Sequence, residues 1–297
     1  MDRLSASLAL PSAYDLQRTM SILSSGRRDP TVERTDDGLQ FSLLTPNGAC
    51  LVKSVVSKDQ LRVDVEGDSA KWLESHLPAM FGLHDEPAAF RPSGKVRDLV
   101  KRYPGVHLPR LPVVFHRLVQ IVLHQLVTWE EAAYGWQEMT RRYGASAPGN
   151  SGLLVGPTPA ALKELAYYDL VDCGILPRQA RLILHLAKES RRIDKVREQG
   201  DGKLLAYLSR IKGIGDWTLE TLRGSCLSDP DAAVTGDYGL PHMVCWFFRQ
   251  QPRGTDEEML ELLEPFRGHR YRVQQLLIHG GVQAPRRGPK MRLRSWM

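Results

Sequence analysis

Apolar and polar positions follow two different rules along this chain. Between residues 39 and 65 they alternate, as in Leu39-Gln40-Phe41-Ser42-Leu43-Leu44, Ala49 to Val56, and Leu61-Arg62-Val63-Asp64-Val65. A period of two predicts three half-buried strands. Thr45-Pro46-Asn47-Gly48, with its Asn-Gly pair, predicts a hairpin turn between the first two. Tyr14 to Ser25 reads as a short helix. A second begins at about Ser69, with Trp72, Leu73, Leu77 and Phe81 on its apolar face. These elements make a small α/β unit with an antiparallel sheet, in which no chemistry is legible.

From about residue 91 the spacing changes to three and four. Lys95 to Arg102 opens the first helix, and Pro112 to Leu126 carries Phe115, Leu118, Val119, Val122 and Leu123 at helical intervals. Thr128 and Glu131 form a capping-box pattern, which starts a new helix running to about Tyr143. Gln125 and Leu126 therefore fall at a break between two helices. Residues 144–157 are a Gly/Pro/Ser loop. Thr158-Pro159 and Pro177 each open a further helix, and Met259 to Phe266 and Arg270 to His279 close the set. The expected fold class is α+β. Residues 1–90 form a small α/β N-terminal domain, 91–284 an all-helical domain, and 285–297 a basic tail.

The chemistry concentrates between Lys203 and Gln250. Leu204, Leu205, Leu208 and Ile211 predict a short amphipathic helix that runs into Lys212. Gly213-Ile214-Gly215 then makes a tight turn, because glycine enters the positive-φ region without steric cost. A second helix follows from Asp216, with Trp217, Leu219 and Leu222 as its apolar positions. Two helices joined in this way form a helix-hairpin-helix, whose turn amides can bind a phosphate. Past an aperiodic loop, Val234-Thr235-Gly236-Asp237-Tyr238 leads into an apolar helix predicted from Tyr238 to Phe248. Asp237 thus stands at a helix mouth. It would serve there as an N-cap worth about 1 kcal/mol, and one carboxylate oxygen would remain free to face a substrate.

Charge sharpens this picture. The 297 residues carry a formal net charge of +6, which favours a polyanionic partner. Arg286, Arg287, Lys290, Arg292 and Arg294 crowd the end of the chain without an acidic neighbour. The four cysteines, Cys50, Cys173, Cys226 and Cys245, lie too far apart for zinc-ligand spacing or a cysteine-ligated iron–sulfur cluster. They are expected to be reduced and at least partly buried. No uncharged run approaches membrane-spanning length, and the start of the chain has too short an apolar run for a signal peptide. The expectations are a cytoplasmic protein, no membrane partner, and a monomer.

The hairpin, the following loop and the helix-opening Asp237 resemble the helix-hairpin-helix DNA glycosylase superfamily, and within it the bacterial 3-methyladenine (alkylpurine) DNA glycosylase II branch. Ile121 to Thr128, Gly174 to Ala180 and Glu264 to Arg270 are similar to other stretches of that branch, so the likeness spans about residues 12–282. It implies a monofunctional glycosylase that flips an alkylated purine out of double-stranded DNA and hydrolyses its glycosidic bond. In that scheme Asp237 is catalytic, and Gln125 and Leu126 fill the gap left by the flipped nucleotide. Lys212, Gly213, Ile214 and Gly215 hold a phosphate, while Trp217 and Tyr238 line the pocket. A sodium or potassium ion at Gly213 and Gly215 is implied when DNA is bound, with no other cofactor. Bifunctional relatives carry a lysine two positions after the second hairpin glycine, and here that position is Trp217. One departure stands out: Phe266 follows Pro265 where the branch has a second pocket tryptophan. Taken without the resemblance, Leu126, Trp217 and Phe266 would each serve equally as core residues. A glycosylase for another damaged base, or a non-catalytic protein that binds damaged DNA, also fits the same residues.

Overall fold

The computed structural model describes residues 2–285. The predicted basic tail, apart from Pro285, lies outside the described residues. The N-terminal part holds a five-stranded sheet, β1 (Arg3–Ala9), β2 (Val32–Arg34), β3 (Gly38–Thr45), β4 (Gly48–Ser57) and β5 (Gln60–Gly67), in the order β1-β5-β4-β3-β2. All the pairings are antiparallel. Thr45 pairs with Gly48, so Pro46 and Asn47 make the expected tight turn. The alternation in the sequence is the burial pattern: Leu39, Phe41, Leu43, Leu61, Val63 and Val65 face inward.

Two edge strands were not expected. In β1 the inward positions are Leu4, Ala6 and Leu8, which alternate with Ser5 and Ser7 and pair with Val65, Val63 and Leu61 of β5; none of them is β-branched or aromatic, so the strand preference is weak. Strand β2 has only three residues, which is below the length at which a period of two can be recognised.

The helices follow the three-and-four spacing. They are α1 (Leu16–Thr19), α2 (Ala70–Glu74), α3 (Leu77–Met80), α4 (Gly94–Arg102), α5 (Phe115–Leu123), α6 (Trp129–Tyr143) and α7 (Pro159–Lys163). Beyond them come α8 (Tyr167–Val171), α9 (Pro177–Arg197), α10 (Asp201–Leu208), α11 (Asp216–Leu227), α12 (Leu240–Arg249), α13 (Asp256–Leu263) and α14 (Arg270–His279). Thr128 and Glu131 form the predicted capping box at the start of α6. Helix α12 starts two residues later than expected, because Pro241 lacks an N–H and fits best in the first helical turn. Tyr238 therefore lies in the loop before that helix. The Gly/Pro/Ser segment holds a short hairpin, β6 (Ala145–Ser146) and β7 (Leu154–Val155), which meets the large sheet where Ser42 Oγ donates to the Leu154 carbonyl at 2.7 Å.

One hydrophobic core joins the sheet to the helices, running from Phe41, Leu61 and Phe81 through Leu118, Ile121 and Trp136 to Ile183 and Leu222. A second cluster packs α4, α12, α13 and α14 together around Val244, Met259, Leu263 and Val273. The hairpin turn between α10 and α11 and the loop before α12 lie where these two cores approach one another. All four cysteines are free and buried. No helix among the described residues is long and apolar enough to cross a membrane.

Candidate active site

The hairpin is anchored from below and open above. Ile214 is buried in the main core, so the turn cannot lift away. Gly213 has φ +99°, and a β-carbon there would stand 3.1 Å from Leu182 of α9. Glycine is needed at this position for its backbone angle and for the close approach together. Gly215 caps α11 without a side chain, and nothing lies within 4 Å of the place where its β-carbon would be. The first amides of a helix have no partner inside it, so the start of α11 offers N–H donors to an approaching anion. Lys212 is exposed beside them.

Asp237 reaches this turn through a loop that is irregular but well braced. Arg223 joins Glu220 to Asp229, and Glu220 also accepts the Ala233 amide at 2.9 Å. Asp231 accepts the Gly268 amide at 2.7 Å and Arg270 Nε at 2.8 Å. Ala232 and Val234 are buried between these polar ties, and the Gly236 amide donates to Asp256 at 2.8 Å. The loop thus has a fixed path although it has no periodicity.

At its end the carboxylate is held from three directions. Oδ1 of Asp237 accepts the amides of Gly239 at 2.8 Å and Leu240 at 2.9 Å, which closes a turn just ahead of α12; the N-cap itself is Gly239, because the helix starts later than expected. Oδ2 accepts the indole N–H of Trp217 at 3.1 Å. Asp237 is only partly buried, so solvent and ligands can reach it. Trp217 links the hairpin to the aspartate: it rises from the first turn of α11, packs against the core and orients the carboxylate. Tyr238, next in sequence, is 87% exposed and meets only the edge of His242 at 5.8 Å between ring centroids. It stands on the open surface beside Asp237.

The break between α5 and α6 lies against the hairpin. Gln125 Nε2 donates to the Gly213 carbonyl and to Thr218 Oγ1, each at 3.0 Å. Gln179, in the first turn of α9, supports the break by donating to the carbonyls of Leu123 at 3.0 Å and Gln125 at 2.7 Å. Leu126 then projects outward, 77% exposed, with φ +57°. A left-handed conformation costs a leucine about 1 kcal/mol or more, and exposure brings no packing in return. The structure therefore does not use Leu126 as core.

Two features were not legible in the sequence. His124, which caps the C-terminus of α5 at this break, is close enough to feel the charges of both Arg117 and Asp237. Burial and then Arg117 push it down to about 4, and Asp237 opposes them without prevailing. His124 is consequently neutral near pH 7 and leaves the charge of Asp237 uncancelled. The second feature is the placement of Phe266. Its ring stacks on Phe248 at 5.8 Å and meets the edge of Phe90 at 6.2 Å, partly buried against the second core cluster. It was expected in the pocket, and contacts with α12 and the segment before α4 fix where its ring lies.

The Gly213 carbonyl accepts from Gln125, and the Gly215 carbonyl accepts the Leu219 amide at 3.1 Å; each oxygen has a second lone pair. Among the described residues no group of three or more His, Cys, Asp or Glu side chains is placed to hold a metal.

No protein-family model matches the chain. It is similar to a DNA-3-methyladenine glycosylase of Bacillus subtilis, 22% identical over 278 residues that cover 88% of this chain and 91% of that protein. A probable bifunctional transcriptional activator/DNA repair enzyme AlkA of Mycobacterium tuberculosis is 28% identical over 151 residues, 49% of this chain and 29% of that one. Among solved structures, the 3-methyladenine DNA glycosylase of Archaeoglobus fulgidus superposes with a TM-score of 0.78 at 22% identity, over 92% of this chain and 97% of that one. An 8-oxoguanine glycosylase/lyase of Clostridium acetobutylicum, in complex with double-stranded DNA containing cytosine opposite 8-oxoguanine, superposes at 0.70 with 10% identity, over 90% and 91% of the two chains. The chain has the fold of the helix-hairpin-helix DNA glycosylases, and its resemblance to their 3-methyladenine branch holds in sequence and in structure.

Proposed function

We propose that this protein is a monofunctional DNA glycosylase that removes alkylated purines from duplex DNA and leaves an abasic site. The observation that carries the reading is the Asp237 carboxylate. It is accessible, oriented by the Trp217 indole and two backbone amides, and has no ion-pair partner among the described residues. A purine alkylated at N3 or N7 is cationic. When its bond to C1′ breaks, the electron pair leaves with the base and neutralises it, while the sugar takes on oxocarbenium character. A fixed negative charge near C1′ stabilises that transition state. Water then adds at C1′ and gives up a proton to the carboxylate or to solvent. The base needs no strong general acid, which suits a site with a single carboxylate.

The remaining parts follow from position. The exposed Leu126 would replace the flipped base in the stack, since an apolar side chain can wedge between base steps. The amides at the start of α11, with Lys212, would hold a phosphate and fix register without reading sequence. Trp217 has no amine able to form a Schiff base with the sugar, so strand cleavage is not expected. Gln125 would hold the wedge at a fixed distance from the hairpin. Pocket roles for Tyr238, and for Trp217 as a stacking face for the cationic base, belong to the same reading.

The test is release of free base from duplex DNA carrying 3-methyladenine or 7-methylguanine, read with and without alkali. Wild-type protein should release base and give strand breaks only after alkali. Asp237→Asn should bind the duplex and release base roughly 100-fold more slowly or worse, the scale on which a single charge-stabilising group acts. Equal release by the variant would reject Asp237 as the catalytic group. Breaks without alkali would reject monofunctional action, and release of only some other damaged base would reject the alkylpurine assignment.

A further inference from the structure

The N-terminal part carries a surface that the catalytic reading leaves unused. The loop from Ser24 to Thr31 is built around the buried Asp29. Its carboxylate accepts the amides of Ser25 at 2.6 Å and Thr31 at 2.9 Å, the Thr31 hydroxyl at 2.7 Å and the Trp136 indole N–H at 3.2 Å. Gln137 donates to the Ser25 carbonyl at 3.0 Å, and Arg141 donates to the Arg28 carbonyl at 3.2 Å. These bonds clamp the loop onto α6. They spend backbone groups and leave the Arg27 and Arg28 side chains exposed, with no ion-pair partner among the described residues.

The loop also reaches the start of α6, just after the wedge. Gly26 has φ +93°, and a β-carbon there would stand 3.1 Å from the far edge of the Trp129 ring. Trp129 opens α6 three residues after Leu126 and is itself 54% exposed. Gln125 thus ties the hairpin to the break that carries Leu126, and three residues further on Trp129 meets the loop that carries the two arginines. Along the chain, Leu126 stands between Gln125, which bonds to the hairpin, and Trp129, a solvent-facing indole against a loop with two uncompensated guanidinium groups.

We propose that Arg27, Arg28 and Trp129 form a second foothold on duplex DNA, besides the hairpin. It rests on the reading of Leu126 as a wedge given above. The arginines engage backbone phosphates, and Trp129 packs against the sugar or base exposed where the stack is opened. Guanidinium groups match phosphate geometry, and an indole face contributes affinity without selecting sequence. The N-terminal part then acts in DNA binding as well as supporting the helices.

The experiment is binding of wild type and variants to a duplex containing a tetrahydrofuran abasic-site analogue, measured across a range of salt concentrations. Loss of two phosphate contacts in Arg27→Ala/Arg28→Ala should make the slope of log affinity against log salt shallower by about 1.8, from about 0.9 per contact. Arg27→Lys/Arg28→Lys should keep most of the slope. Trp129→Ala should weaken binding roughly 5-fold or more at fixed salt, and Trp129→Phe should keep most of it. Both arginines and the indole are exposed, so unfolding is not the expected outcome, and circular dichroism checks this. An unchanged slope in the double alanine variant, or equal loss in the double lysine variant, overturns the foothold. Base release by the wild type separates the two ideas. If the wild type releases base while the slope stays unchanged, only the foothold falls. If it neither binds duplex nor releases base, the catalytic reading falls as well.

Discussion

Asp85 and Asp237 show two ways in which this protein holds a carboxylate. Asp85 lies between α3 and α4 and pairs with Arg272 of α14, each side chain only 6% exposed, while the Leu108 amide adds a bond at 2.8 Å. Its charge is cancelled by a cation at contact distance, and the pair ties the two ends of the helical region together. Asp237 also accepts three hydrogen bonds, but all three of its donors are neutral N–H groups. They fix its direction and leave its charge available to a positive centre brought from outside. A carboxylate paired with a cation serves the fold, whereas one oriented by neutral donors can serve chemistry.

The largest effect that bears on this contrast is on stability. Arg272→Ala should cost about 3–5 kcal/mol in urea unfolding, because Asp85 would be left buried and unpaired. Replacing both partners by apolar residues of similar size should recover most of the loss, and folded Arg272→Ala should still release base at close to the wild-type rate. A large loss of base release in that folded variant would blur the distinction between the two carboxylates.

The pH dependence concerns the surroundings of Asp237. Burial and Arg117 depress the folded-state pKa of His124 to about 4, from the ordinary histidine value of 6.5. Below 6.5 the unfolded chain takes up a proton that the native histidine refuses. This residue's effect is therefore to lower stability progressively as pH falls from 6.5 to about 4, and to change little below that. Against His124→Gln, the wild type should lose up to about 3 kcal/mol across that window. A loss that appears instead as pH rises would mean that His124 is charged in the native state and already pairs with Asp237.

Trp217→Phe keeps the aromatic packing and removes the indole donor. A hydrogen bond to a charged group is worth about 1.5–3 kcal/mol, so base release should slow by roughly 10- to 100-fold with duplex binding unchanged. If release is unaffected, the three-point hold on Asp237 is not what orients it. The smallest expected effect is on folding in Asp237→Asn. The amide oxygen of asparagine can still accept the Gly239 and Leu240 amides, but its NH2 then faces the Trp217 indole N–H, so stability should fall by about 1 kcal/mol. A large drop would assign Asp237 to the architecture, alongside Asp85.

Much of the fold could be read because its signals are local. The strands from Leu39 to Val65, the capping box at Thr128 and the Gly213–Gly215 turn each depend on period or backbone preference over a few residues. The hairpin and Asp237 were legible for the same reason, as was the helix break at Leu126. Strand β1 was missed because its Leu, Ala and Ser residues have little strand preference of their own and are held extended by pairing with β5. Phe266 was expected in the pocket because it follows Pro265, yet what its ring touches was decided by Phe90 and Phe248, which lie far away in the chain.

The amino-acid order by itself determined the alternation that makes the sheet, the glycines that make the turn, and an aspartate at a helix mouth. Tertiary structure alone decided that Trp217 would turn its N–H toward Asp237, that Gln125 would bond to Gly213, and that the Gly26 loop would reach Trp129. The reason is range. Periodicity and backbone preference act within a few residues, whereas these contacts join residues from 20 to about 100 positions apart and exist only once both cores have packed.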